Sequence, residues 1–168
     1  MVATTQNVRW LAHQYFEQAL QRGRWRKIIG WLFQRRVTLL GLDEVRRNVR
    51  ITNSIDRGLG EISLDAIGGS VNRTRDFTTS FLPLKYHLLE RWTNIMVAME
   101  RMEPLPPIEV YKLGDQYYII DGHHRVSVAK WLGIKELTAH VIEIQTESAA
   151  QAQPALPQVQ NCWQVAGC

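Results

Sequence analysis

Asp121-Gly122-His123-His124-Arg125 lies between Gln116-Tyr117-Tyr118-Ile119-Ile120 and Val126-Ser127-Val128-Ala129-Lys130-Trp131-Leu132, and the fold turns on this stretch. The upstream run is aromatic and β-branched and reads as a buried strand. The downstream run, closed by Gly133, reads as a short helix with a glycine stop. A strand, a tight polar turn and a helix N-terminus make a common anion cradle. Unsatisfied backbone N–H groups and the positive helix end converge there, and a glycine permits close approach.

The spacing leaves three readings of the pentapeptide open. In the first, Gly122 admits a phosphate whose oxygens are held by the helix N–H groups, by Arg125 and by His123 and His124. In the second, the histidines bind a metal. Adjacent residues point in different directions and no H-x-x-x-H pair accompanies them, so no metal site is expected. In the third, Asp121 caps the helix, Gly122 makes the turn, and the histidines are solvated or bonded to the core.

Working outward, Ile108 to Lys112 and Gln116 to Ile120 form a hairpin through Gly114-Asp115. Tyr86 to Met102 carries Leu88, Leu89, Trp92, Ile95, Met96 and Met99 at helical spacing and stops at Pro104-Leu105-Pro106-Pro107. Leu137 to Ile144 is a last strand. Upstream, Glu61 to Leu64 reads as a short strand, Asp65 to Ile67 as a helical turn, and Gly68-Gly69-Ser70 as the start of a loop holding Arg73, Arg75 and Asp76. The Asn, Ser, Asp and Gly of Thr52 to Gly60 mark a linker.

Three helices are expected before that linker. One covers residues 8–21 and ends at Arg22-Gly23-Arg24. A second sets Trp25, Ile28, Ile29 and Leu32 on one side, and a third runs from Leu42 to Val49. The expected division is a basic helical extension over residues 1–57, a compact domain over 58–145, and a disordered Gln/Ala/Pro-rich tail over 146–168.

Composition narrows the function classes. The 168 residues suffice for one domain with extensions. No apolar run reaches 18 residues, and Met1-Val2-Ala3-Thr4-Thr5-Gln6 has neither a basic nor an apolar signal region. A cytoplasmic location is the expectation. Cys162 and Cys168, both in the tail, make neither a disulfide framework nor a zinc site.

Charge is uneven. Residues 1–57 hold 11 Lys/Arg and 4 Asp/Glu, whereas residues 58–168 hold 9 and 12. Arg22, Arg24, Arg26, Lys27, Arg35 and Arg36, interleaved with Trp25 and Trp31, fit phosphate contacts and base stacking on nucleic acid. An anionic bilayer is the less favoured partner. The plainer reading packs the Trp–Ile–Leu side on the domain and shows only charges to water.

The run Pro106-Pro107-Ile108-Glu109-Val110, the hairpin, the pentapeptide, and then Ala129 and Leu132-Gly133 together resemble the ParB/sulfiredoxin superfamily. Ile62-Ser63-Leu64-Asp65-Ala66-Ile67 and Arg73-Thr74-Arg75-Asp76-Phe77 resemble its first box, so the likeness spans about residues 60–145. It implies an α+β fold: a ParB/sulfiredoxin-like domain with a small mixed sheet, preceded by the basic helical extension. It also implies a nucleoside phosphate site at the second box, formed by Gly122, His123, His124 and Arg125, with Arg73 and Arg75 completing it.

The departures discriminate among members. Sulfiredoxins have a cysteine where this chain has His123, which removes the thiol chemistry. Partition ParB proteins carry Gly-Glu-Arg-Arg-x-Arg there and continue into a helix-turn-helix domain, so a full partition role is not expected. The free serine kinases share Asp-Gly-His-His-Arg. That likeness implies a catalytic role for Asp121, acting on an acceptor hydroxyl. Their first-box glutamate has no counterpart in Ser70 to Arg75.

The leading expectation is therefore a ParB-like protein that binds a nucleotide, ATP, ADP or CTP with Mg²⁺, with phosphoryl chemistry or NTP hydrolysis as its extension and DNA met by the basic helices. The alternatives are a non-enzymatic DNA-associated module and a serine-kinase-like phosphotransferase. A ParB-like nuclease stands below these, because no carboxylate cluster suits two-metal hydrolysis.

Overall fold

The structure is a computed structural model and describes residues 5–47 and 50–147. The helix α1 spans Thr5–Leu32 and the short α2 spans Leu42–Arg46, directly after the two-residue strand β1, Leu40–Gly41. β2 (Arg50–Ser63) and β3 (Ile67–Ser70) precede α3 (Leu89–Glu100). β4 (Ile108–Leu113), β5 (Gln116–Asp121), α4 (His123–Leu132) and β6 (Glu136–Glu147) complete the order. The six strands form one mixed sheet in the order β1-β3-β5-β4-β6-β2. β4 pairs antiparallel with β5 and parallel with β6, while β5 also runs parallel to β3. The fold is α+β, as expected.

Alternation along the strands separates the two faces of the sheet. Ile119 joins Val110, Ile108, Val141 and Ile62 in the main core, together with Phe16 of α1, Trp92 and Met96 of α3, and Val126 of α4. Its neighbour Tyr118 points the other way, into a small cluster with Leu42 and Ile144. The helices α1, α3 and α4 thus cover one face. Trp92 is wholly buried and lies edge-on to Phe16, with ring centroids 5.7 Å apart. Burial of each such side chain contributes roughly 1.5–3 kcal/mol.

Four expectations need correction. α1 is continuous through Gly23, which faces inward; a Cβ there would sit 2.4 Å from the Pro83 carbonyl oxygen. The glycine is a point of close approach, not a break. α1 ends instead where Gln34 takes a left-handed φ of 51° and Arg35 N–H bonds the Gly30 carbonyl at 2.8 Å.

The stretch Thr52 to Gly60 is strand, not linker: β2 pairs with β6 along its whole length. Its register shifts between Asp56 and Gly58, where Gly58 has φ 72°, so the glycine marks a bulge. Gly68-Gly69-Ser70 lies in β3, so the loop begins at Val71, three residues later than expected. α2 stops at Arg46. The tail from residue 148, with Cys162 and Cys168, lies outside the described residues.

Candidate functional site

β5 delivers the chain to Gly122, whose φ of 100° opens α4. Gly122 is required there for two reasons. The backbone is left-handed, and a Cβ would lie 2.4 Å from Ile108 Cγ2. Packing on the neighbouring strand, rather than room for a ligand, fixes the glycine. Asp121 is not the helix cap, since no side chain caps α4. Val126 N–H makes the first helical bond, to the Gly122 carbonyl at 3.0 Å. Among the described hydrogen bonds, none takes the N–H groups of His123, His124 or Arg125, the donors a helix N-terminus leaves open.

The side chains of the pentapeptide turn mostly inward. His123 Nε2 lies 2.6 Å from Ser70 Oγ, and its ring stacks on Phe77 at 16°. His124 meets the same Phe77 edge-on, and its Nδ1 is buried with no hydrogen-bond partner among the described residues. Burial pushes His123 down to a pKa of about 4, helped by the charge of Arg73. His124 also falls to about 4, through burial and then the charges of Arg91, Arg73 and His123. Both rings are neutral at pH 7.

Arg125 is buried and structurally engaged. Its Nη1 donates to the carbonyl oxygens of Pro106 and Pro107, the second at 2.6 Å, and its Nη2 meets Asp121 Oδ2 at 2.6 Å. The guanidinium therefore ties the proline segment before β4 to the turn before α4. Asp121 keeps 55% of its side chain exposed while bonded to Arg125.

A narrow cleft opens over this turn, lined by Gly122 to Arg125 with Arg73, Arg91 and Asp121. Arg73, with φ 54°, comes from the loop after β3 and meets Asp76 at 3.6 Å, while Lys85 holds the other oxygen of Asp76 at 2.7 Å. Arg75 is exposed and is not among the lining residues. Arg91 was missed in the sequence, where no local signal marks it; with Ile95, one turn on along α3, it lines the same cleft. Ser127 is fully used, accepting from Trp92 Nε1 at 2.9 Å and donating to the Phe81 carbonyl at 2.6 Å. Among the described residues no three His, Cys, Asp or Glu side chains converge as metal ligands.

The family model of the ParB N-terminal domain matches residues 78–155. By this match the segment is similar to a ParB/sulfiredoxin-like domain. The match takes in α3, the hairpin, the pentapeptide and β6; the first-box segment precedes it. No curated protein and no solved structure matches the chain.

The basic residues expected to touch nucleic acid do not form one face. Arg22 lies over the Trp131 ring at 4.8 Å from its centroid, and Arg26 Nη1 bonds Ser80 Oγ. Arg24, Lys27 and Arg35 are exposed, and Arg36 pairs with Glu44 at 2.5 Å.

Proposed function

We propose that the ParB-like domain of this chain binds a phosphorylated ligand, in the first instance a nucleoside phosphate, over the first turn of α4. The observation that carries this reading is the coincidence of three open backbone N–H groups with the guanidinium groups of Arg73 and Arg91 at one cleft. Helix N-terminal donors and arginine forks both match phosphate oxygens. In this reading His123 and Arg125 hold the turn in shape, and Arg73, Arg91 and the backbone meet the ligand.

The cleft has a volume of about 10 Å³, room for about one water, so a phosphate would sit at its mouth with the rest of the nucleotide outside it. The cleft is narrow, and Mg²⁺ would arrive with the phosphates, because the described side chains gather no ligand set of their own. Asp121 is the one carboxylate at the cleft, and its bond to Arg125 favours a binding role over proton abstraction.

A thermal-shift series with ATP, ADP and CTP, each with Mg²⁺, and with pyrophosphate tests the proposal. Ligand at 100 times its Kd adds about 2.7 kcal/mol to stability, a readily measured rise in Tm. The rise should shrink strongly in Arg91→Ala and Arg73→Ala. No shift at millimolar concentrations of any of them would overturn the reading.

A further inference from the structure

The C-terminal half of α1 exposes what a surface helix ordinarily buries. Trp25 is 65% exposed, Ile28 56% and Leu32 67%. Their i, i+3, i+7 spacing sets them in one ridge, and Ile29 and Trp31, also exposed, flank it. Gly23 and Gly30 are buried on the same helix, so the ridge faces away from the core. Phe33 continues the patch beyond the helix end. A contiguous patch of this kind marks a binding surface, unlike a single exposed leucine.

The charge around it selects the partner. Between Glu17 and Asp43 the chain carries six Lys/Arg and no carboxylate. Arg24 and Lys27 stand exposed beside the ridge. On its other side a cleft of about 430 Å³ is lined by Arg22, Arg26, Lys130, Trp25, Ile29 and Trp131. Trp25 and Ile29 belong to both, so the cationic cleft opens directly onto the apolar ridge.

We infer that this surface docks on an anionic phospholipid bilayer, with Trp25, Ile28 and Leu32 entering the interface and Arg22, Arg26 and Lys130 taking a lipid phosphate headgroup. Indoles prefer the bilayer interface, aliphatic side chains enter the acyl boundary, and cations meet anionic headgroups. Nucleic acid explains the cations and the indoles but leaves Ile28, Ile29 and Leu32 in water. No described helix is long and apolar enough to cross a membrane, so the contact is with a surface. The inference does not rest on the phosphate site of α4.

Co-sedimentation of the full chain with vesicles of phosphatidylcholine and phosphatidylglycerol, against phosphatidylcholine alone, tests it. Binding should need the anionic lipid, weaken with salt, and drop at least tenfold in Ile28→Asp/Leu32→Asp. Those residues are exposed, so the variant should melt within a few degrees of the parent. Arg26→Gln/Lys130→Gln should lower the preference for anionic over neutral vesicles, and Arg91→Ala should leave binding unchanged. No binding to anionic vesicles overturns the inference. So does self-association, or capture of duplex DNA without vesicle binding, that the ridge variant abolishes.

Discussion

Residues 123–129 at the start of α4 are all buried, although His123, His124, Arg125 and Ser127 are polar or charged. Residues 24–29 of α1 are all exposed, although Trp25, Ile28 and Ile29 are apolar. The two segments invert the usual pattern in opposite directions. In α4 the inversion is compensated internally: Arg125 meets two proline carbonyls and Asp121, His123 meets Ser70, and Ser127 bridges Trp92 and Phe81. Buried polar groups that find partners in this way specify a geometry. In α1 nothing among the described residues compensates the exposed indoles and aliphatics, which is the opening for the bilayer inferred above. One inversion makes a rigid site and the other leaves an adhesive surface.

The largest expected effect probes the α4 side of that contrast. In the unfolded chain His123 and His124 take up protons near 6.5, and in the folded chain only near 4. Between those values the unfolded state binds more protons. Stability is therefore full above pH 6.5 and falls as pH drops through the window toward 4, by on the order of 3 kcal/mol per ring. Urea titrations at pH 7.5, 6 and 5 should show the slope, and His123→Asn/His124→Phe should flatten it. The carboxylates of Glu44, Asp56 and Glu143 are also held low, by hydrogen bonds from Arg36, the Gly58 N–H and Arg57 respectively. An equal slope in the double variant would mean that the rings are not buried neutral, and the contrast with α1 would fail.

A smaller effect tests which side of α1 faces the core. Alanine ordinarily stabilises a helix interior over glycine by about 1 kcal/mol. At Gly23 the sign should reverse, because the new Cβ would meet the Pro83 carbonyl at 2.4 Å and backbone cannot rotate away. A loss of roughly 1–3 kcal/mol is expected, read as a lower urea midpoint at unchanged slope. A gain would place Trp25, Ile28 and Leu32 inward and remove the exposed ridge.

These same positions show where the sequence was legible. The hairpin and the turn before α4 could be read because period-two alternation and a glycine at the turn are local signals, and the positive φ of Gly114 and Gly122 bears them out. The inward face of the C-terminal half of α1 could not. Past Leu20 it is made by Gly23 and Gly30, which carry no hydrophobic signal. The Trp–Ile–Leu spacing is also what a core-facing stripe looks like. β2 was hidden for a related reason: Asn53, Ser54 and Asp56 are exposed on an edge strand, where pairing with β6 supplies the order that side-chain burial does not. At the cleft, Arg91 and the engagement of Arg125 depend on long-range placement that no local motif encodes.

The smallest effect falls on the one buried side-chain polar atom of α4 that has no partner among the described residues. His124 Nδ1 is buried without a partner, so that side chain resembles α1 in waiting for something outside the described fold. His124→Phe keeps the ring shape and the edge contact to Phe77 while removing an unsatisfied acceptor or donor. Replacing such a group by an apolar one of similar shape is neutral or stabilising, here by up to about 1 kcal/mol at pH 7.5. If the ligand of the α4 cleft uses that ring, the same variant should show a smaller nucleotide-induced rise in Tm than its parent. Greater stability with weaker ligand binding would identify His124 as a group held for the ligand. A loss of stability above 2 kcal/mol would instead reveal an internal partner and return His124 to the compensated set.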